Sequence, residues 1–149
     1  MHYSFWTRWL FLVSVIFTGF GVLIALFPET PILALWHDFL ARTFFAGDMP
    51  DDAARLRSFL FGPLGGTIAG FYVFQGFVVR NAFAHRERWA WWAILLATAF
   101  WFITDSSMSL VHGAWWNVLL VNVPALLLNA IPLAMTVRAV FTPMVDEQP

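Results

Sequence analysis

Side chains that could carry chemistry are concentrated in one otherwise apolar stretch, Trp101–Trp116. On a helix, at about 100° per residue, six residues in and just before this stretch share one narrow arc: Thr98, Trp101, Asp105, Ser109, His112 and Trp116. A carboxylate at membrane depth costs on the order of 3 kcal/mol. Asp105 is therefore expected to point into a helix bundle or a wet cavity and to have a partner there.

The composition is that of a membrane protein. Of the 149 residues, 60% are hydrophobic and 11% are charged, and the mean hydropathy of +0.73 is far too high for an ordinary soluble domain. The net charge is −1 and the eight basic residues are dispersed arginines, which excludes nucleic acid as a partner. The absence of cysteine excludes disulfides and thiolate metal sites.

Four apolar stretches predict an all-α fold: a bundle of four transmembrane helices in a single integral membrane domain, residues 1–149. The predicted spans cover residues 9–27, 59–79, 89–111 and 118–137. Residues 31–45 show helical spacing of apolar side chains but are too few to span, so they predict a short interfacial amphipathic helix or a cap over the bundle. Gly62, Gly66 and Gly70 line one face of the second span and predict close packing against a neighbouring helix.

The arginines indicate the orientation of the bundle. Four spans put both termini on the same side as the loop Arg80–Arg88, and this side collects five of the eight arginines. The bias predicts cytoplasmic termini in the plasma membrane. The polar end of the third helix then faces outward, close to the start of the second helix and the turn before the fourth.

These placements predict an outward-facing polar pocket for a small ligand, lipid or quinone. Asp105 forms its floor, and Arg57 is the candidate counter-charge. The predicted pocket residues are Asp105, Ser109, His112, Asn122, Arg57 and Asn117. The alternative is that the same residues serve only as hydrogen-bond partners between helices.

Other chemistries fit the spacing less well. Asp105 and His112 lie roughly 10 Å apart along the helix axis, with Ser109 between them, which is not the order of a hydrolase triad. His85 and His112 bracket the third helix roughly 40 Å apart, so one cofactor cannot bridge them. His37 and His112 are expected on the same side, each as an interfacial histidine. We therefore expect no metal and no cofactor.

One set of residues carries a resemblance: Arg86–Trp92, Trp101–Ser106, Ser109, His112–Ala114 and Asn117. With these residues the chain resembles small, uncharacterised four-helix integral membrane proteins of bacteria. The resemblance implies a four-helix fold in the bacterial inner membrane and implies no activity.

The expected function is non-enzymatic, either as an accessory subunit or as a bundle that binds a small ligand or lipid. The expected partners are membrane lipids and either a larger membrane complex or further copies of the chain. The alternative is a small membrane enzyme, or a quinone- or lipid-handling protein, that uses Asp105 and His112.

Overall fold

The computed structural model describes residues 3–142, which are mostly helical and contain no strand. The five helices are α1 Tyr3–Leu26, α2 Ala34–Phe45, α3 Asp51–Asn81, α4 Arg88–Val111 and α5 Trp115–Phe141. Short 3₁₀ turns, Pro31–Leu33 and Phe83–His85, precede α2 and follow α3. All helices except α2 are long and apolar enough to cross a membrane. The predicted all-α fold, with four long apolar helices and a short one between the first two, is confirmed.

The helices extend beyond the predicted spans. The largest extension is at the start of α3, where Asp51 and Asp52 occupy the first turn and Arg80 the last. Acidic residues near a helix N-terminus and basic residues near its C-terminus complement the helix dipole, which favours such extensions. Hydropathy therefore locates the apolar part of each helix and misses its charged ends. Residues 1–2 and 143–149 of the predicted domain lie outside the described residues.

The closest helix pairing joins α1 to α3. Gly21 and Gly65 face each other there, since a Cβ atom added at Gly21 would lie 2.7 Å from the Gly65 carbonyl oxygen. Gly62, Gly66 and Gly70 take no part, because a Cβ atom added at any of them meets nothing within 4 Å. The packing face predicted from those three glycines is therefore not the face that α3 uses among the described residues. Gly65 lies one residue, or about 100°, around the helix from Gly66.

Both described ends of the chain lie beside the α3–α4 connection, which we call the hairpin end of the bundle. The Tyr3 hydroxyl donates to the carbonyl oxygen of Phe83. The Phe141 ring packs edge-on against Trp91, with centroids 5.4 Å apart. A buried cluster that includes Leu10, Val79, Phe83, Ile94 and Leu133 holds this end together. This arrangement is the one expected of four crossings, because an even number of crossings returns the chain to the side from which it started.

A proline in α5 leaves a backbone acceptor that α1 satisfies. Pro132 has no N–H, so the carbonyl oxygen of Leu128, four residues earlier, loses its usual partner in the helix. The indole N–H of Trp9 donates to this oxygen at 3.1 Å. The first and last crossings are therefore joined by a hydrogen bond that replaces one missing from the helix ladder.

The α3 and α4 helices touch mainly near the hairpin end and make few contacts elsewhere. Toward the opposite end, which we call the α2 end, they diverge and leave a cavity between them. This separation creates the space in which the polar residues of α4 lie.

Candidate functional site

The cavity at the α2 end has a volume of about 1050 Å³. One wall is a row of leucines on α3, Leu56, Leu60 and Leu64, at the four-residue spacing that keeps them on one helix face. The facing wall is α4, where Trp101, Asp105 and His112 are among the lining residues. The lining is mostly apolar, with polar groups confined to a few positions. This is the usual composition of a small-molecule site.

The α2 helix covers the cavity through aromatic contacts. The ring of Phe39 stacks on Trp116, with centroids 5.1 Å apart, and Trp36 lies 5.6 Å from Phe61. The indole N–H of Trp116 donates to Oγ1 of Thr43 at 3.0 Å. The short amphipathic helix thus lies across the ends of α3 and α5 and closes the α2 end of the cavity.

Asp105 is the hydrogen-bonding centre of the site. Its Oδ1 atom accepts bonds from Nδ2 of Asn122 at 2.8 Å, Nδ2 of Asn117 at 3.0 Å and Oγ of Ser109 at 3.2 Å. Asn122 Nδ2 also donates to Oγ of Ser106 at 3.1 Å. The carboxylate therefore faces α5 and has the partners that its depth in an apolar helix requires. Its Oδ2 atom takes part in none of these bonds.

A break in α-helical geometry brings the two asparagines to the same oxygen. Residues five apart on an α-helix differ by about 140°, so Asn117 and Asn122 would point in different directions. In the structure, Val118–Asn122 is a π-helical turn, and the N–H of Val123 donates to the carbonyl of Val118. The wider i→i+5 turn places both side chains toward Asp105. Pro124 follows directly and has no N–H with which to continue the α-helical register.

The two amides carry an energetic cost for this arrangement. With both Nδ2 groups directed at Asp105 or its neighbours, Oδ1 of Asn117 and Oδ1 of Asn122 are buried with no hydrogen-bond donor in the described part of the chain. An unsatisfied buried acceptor costs about 1–3 kcal/mol. Both amides thus direct their N–H donors toward the Asp105 carboxylate, and this orientation leaves their two oxygens unsatisfied within residues 3–142.

Arg57 lines the cavity but is not the counter-charge of Asp105, contrary to our prediction. Its Nη2 atom lies 2.7 and 2.8 Å from the two carboxylate oxygens of Glu29, in the loop after α1. The hydrogen bond from Ser58, together with those from Arg57, holds the pKa of Glu29 below its usual value. Glu29 is 28 residues from Arg57 in sequence, and the packing of α1 against α3 brings them together. The Nε atom of Arg57 is buried and has no hydrogen-bond partner between residues 3 and 142.

The histidines do not join the network. His112 lies at the exposed rim of the cavity, where its Nδ1 atom is 2.9 Å from the Met108 carbonyl oxygen in its own helix. His37 lies 2.8 Å from the Pro28 carbonyl oxygen and stacks on Phe61. Across residues 3–142, no group of three or more acidic or histidine side chains is placed to hold a metal ion.

A second polar cluster lies deeper in the bundle, away from the cavity. Gln75 Nε2 donates to Oδ1 of Asn129 at 2.9 Å and to Oγ of Ser14 at 3.3 Å, which links α3 to α5 and α1. The sequence offers a signal for Asn129, which shares a helix face with Asn122 at seven-residue spacing. It offers none for Ser14, whose role depends on the pairing of α1 with α3.

The structure therefore brings five of the six predicted pocket residues to one cavity, and the sixth, Asn122, lies behind it and bonds Asp105. The structure agrees with the cap predicted as one alternative for residues 31–45, and it adds residues of α2 that the predicted pocket did not include, Trp36 and Leu40 among them.

Comparison of the chain with known protein families, curated proteins and solved structures finds no match. Fold and site together are those of a polytopic membrane protein with a lined cavity at one end of the bundle.

Proposed function

We propose that the protein is a non-enzymatic integral membrane protein that binds a small amphiphilic or lipid-like ligand in the cavity between α3 and α4. The observation that carries the proposal is the position of Asp105. This residue presents a carboxylate at the wall of a mostly apolar space of about 1050 Å³, and no donor among residues 3–142 bonds its Oδ2 atom. An apolar body and one polar anchor are what such a site recognises.

The alternative, that these polar residues only hold helices together, accounts better for the deeper cluster around Gln75. There, neutral groups join α1, α3 and α5 and border no part of the large cavity. The Asp105 cluster differs, because a charged group is more costly at depth than an amide and because α3 and α4 diverge beside it. A purely structural role requires neither the carboxylate nor the space.

The distribution of the arginines supports a proposal for the orientation. We propose that the protein lies in the bacterial inner membrane with cytoplasmic termini, so that the cavity opens toward the outer leaflet. The hairpin end and the termini carry five arginines against three at the α2 end. Lipids of the outer leaflet are then the partners closest to the cavity.

Saturable binding of tritiated dodecanol tests the proposal. The protein is purified in glyco-diosgenin micelles, since this detergent has neither charge nor alkyl chain, and binding is measured by scintillation proximity. We expect saturable binding to the wild type. Leu60→Trp combined with Met108→Trp narrows the cavity from both walls and is expected to reduce affinity at least tenfold.

The matched control is Leu12→Trp combined with Met135→Trp, which makes the same changes at exposed positions, outside the cavity lining. It is expected to bind as the wild type does. If the wild type shows no saturable binding, or if both double variants bind equally, the protein does not bind a ligand in this cavity and the proposal is wrong.

A further inference from the structure

Asp105 has no basic side chain as a partner among the described residues. Among residues 3–142 there are two ion pairs, Arg42 with Asp38 and Arg57 with Glu29. Asp105 is in neither, and its partners are the neutral side chains of Ser109, Asn117 and Asn122.

Besides Asp105, the cavity lining contains one arginine, Arg57, and one histidine, His112, which lies at the rim. The guanidinium of Arg57 is engaged by both oxygens of Glu29, and the arginine side chain is only 15% exposed. Glu29 already supplies the negative charge that neutralises Arg57, and an anionic headgroup placed there would also face the carboxylate of Asp105. The position therefore disfavours an anion.

The walls are suited to a cation. Aromatic rings from four helices line the cavity, among them Trp36, Phe61, Phe100, Trp101 and Trp116. The faces of such rings attract ammonium groups, and aromatic surfaces are a common means of binding quaternary ammonium. A carboxylate oxygen with no donor supplies the opposite charge.

From this combination we infer that the ligand is a lipophilic cation, with an ammonium head beside Asp105 and an apolar tail along the leucines of α3. The inference rests on the proposed function and deepens it by assigning the ligand's charge. His112 lies at the exposed rim with its ring directed to a backbone oxygen, so it supplies no fixed partner for an anion.

Three amphiphiles with the same twelve-carbon chain test the inference by competition against tritiated dodecanol. Dodecyltrimethylammonium is cationic, unlabelled dodecanol is neutral and dodecanoate is anionic. The two ions are used below their critical micelle concentrations and dodecanol below its solubility limit. The wild type is expected to bind the cation at least tenfold more tightly than dodecanol and the anion more weakly than either.

Asp105→Asn is expected to remove the preference for the cation, so that dodecyltrimethylammonium competes no better than dodecanol does on this variant. Asp38→Asn is the matched control, because it makes the same change at an exposed aspartate outside the cavity, and it is expected to keep the preference. The headgroup series on the wild type is informative even if Asp105→Asn fails to fold.

The outcomes separate the two proposals. Saturable dodecanol binding without a preference for the cation, or a preference that survives in Asp105→Asn, refutes the cation inference and leaves the proposed function standing. Tighter binding of dodecanoate also refutes it and points to an anion site at Arg57. Absence of saturable dodecanol binding refutes the proposed function.

Discussion

Replacing Gly65 by alanine is expected to force α1 and α3 apart. The added Cβ atom would lie 2.7 Å from the backbone nitrogen of Ala25, about 0.7 Å inside the 3.4 Å at which ordinary contact begins, and it would also collide with the carbonyl oxygen of Gly21. Both neighbours are backbone atoms, which cannot rotate away. Overpacking of this kind costs about 1–3 kcal/mol, and we expect the upper end.

Alanine also gains helix propensity over glycine, at most about 1 kcal/mol, so the expected net destabilisation by Gly65→Ala is about 2 kcal/mol. Gly66→Ala is the matched control, because its Cβ atom meets nothing within 4 Å and only the propensity changes. The two variants should therefore differ by up to about 3 kcal/mol, which is roughly a hundredfold in the folding equilibrium constant.

The assay is unfolding of the purified protein by SDS in mixed micelles, followed by tryptophan fluorescence. Gly21→Ala tests the same contact from the other helix, since its Cβ atom would lie 2.6 Å from the Ala69 nitrogen. Equal unfolding midpoints for Gly65→Ala and Gly66→Ala would show that the two helix backbones are not in contact and that the reasoning is wrong.

Three further predictions concern single hydrogen-bonded groups. Trp9→Phe leaves the Leu128 carbonyl without a donor and should lower the free energy of unfolding by about 1–3 kcal/mol in the SDS assay. Asn122→Ala removes a donor from Asp105 and should destabilise the protein by a similar amount, about 1–3 kcal/mol, seen as a lower melting temperature. The pKa of Glu29 is lowered by folding, so the stability it contributes is present above the unfolded value of about 4.3 and is lost as pH falls through the lower folded value. Glu29→Gln should therefore flatten the loss of stability of the wild type between about pH 5 and pH 3.

Matched variants distinguish these effects from general ones. Trp92→Phe changes an exposed indole, and Asn81→Ala removes an amide that bonds only its own helix. Asp38→Asn removes an exposed carboxylate from a pair within one helix turn. Each should leave the measured property near that of the wild type. A control as damaging as its partner variant would mean that the named hydrogen bond is not the cause.

The sequence predicted the fold because spanning helices leave a strong signal in hydropathy, which requires no knowledge of contacts. It also grouped Asp105 with Ser109, because residues on one face of a single helix are related by spacing alone. The choice between Gly65 and Gly66 as the contact residue could not be made in this way. Each of these glycines belongs to a row of small residues on α3, and the two rows overlap in sequence. The position of α1 decides which row forms the contact.

Two parts of the site depend on information that local patterns do not contain. Arg57 and Glu29 come together only when α1 packs against α3, and local patterns do not reveal that packing. The sequence therefore pointed to Asp105 on α4 as the partner of Arg57. The π-helical turn before Pro124 changes the direction of Asn117 relative to an ideal helix. Proline marks an interruption in the helix, but the sequence does not say which hydrogen-bonding register the chain adopts around it.

The bond from Trp9 to the Leu128 carbonyl has a consequence for how the protein is made. A crossing that contains Pro132 enters the bilayer with one backbone oxygen lacking a donor, and hydrocarbon offers none. Its donor lies on α1, which leaves the ribosome 119 residues ahead of Leu128. Correct insertion of α5 is thus coupled to its meeting α1, and a chain in which the two helices stay apart keeps an unpaired backbone carbonyl inside the bilayer.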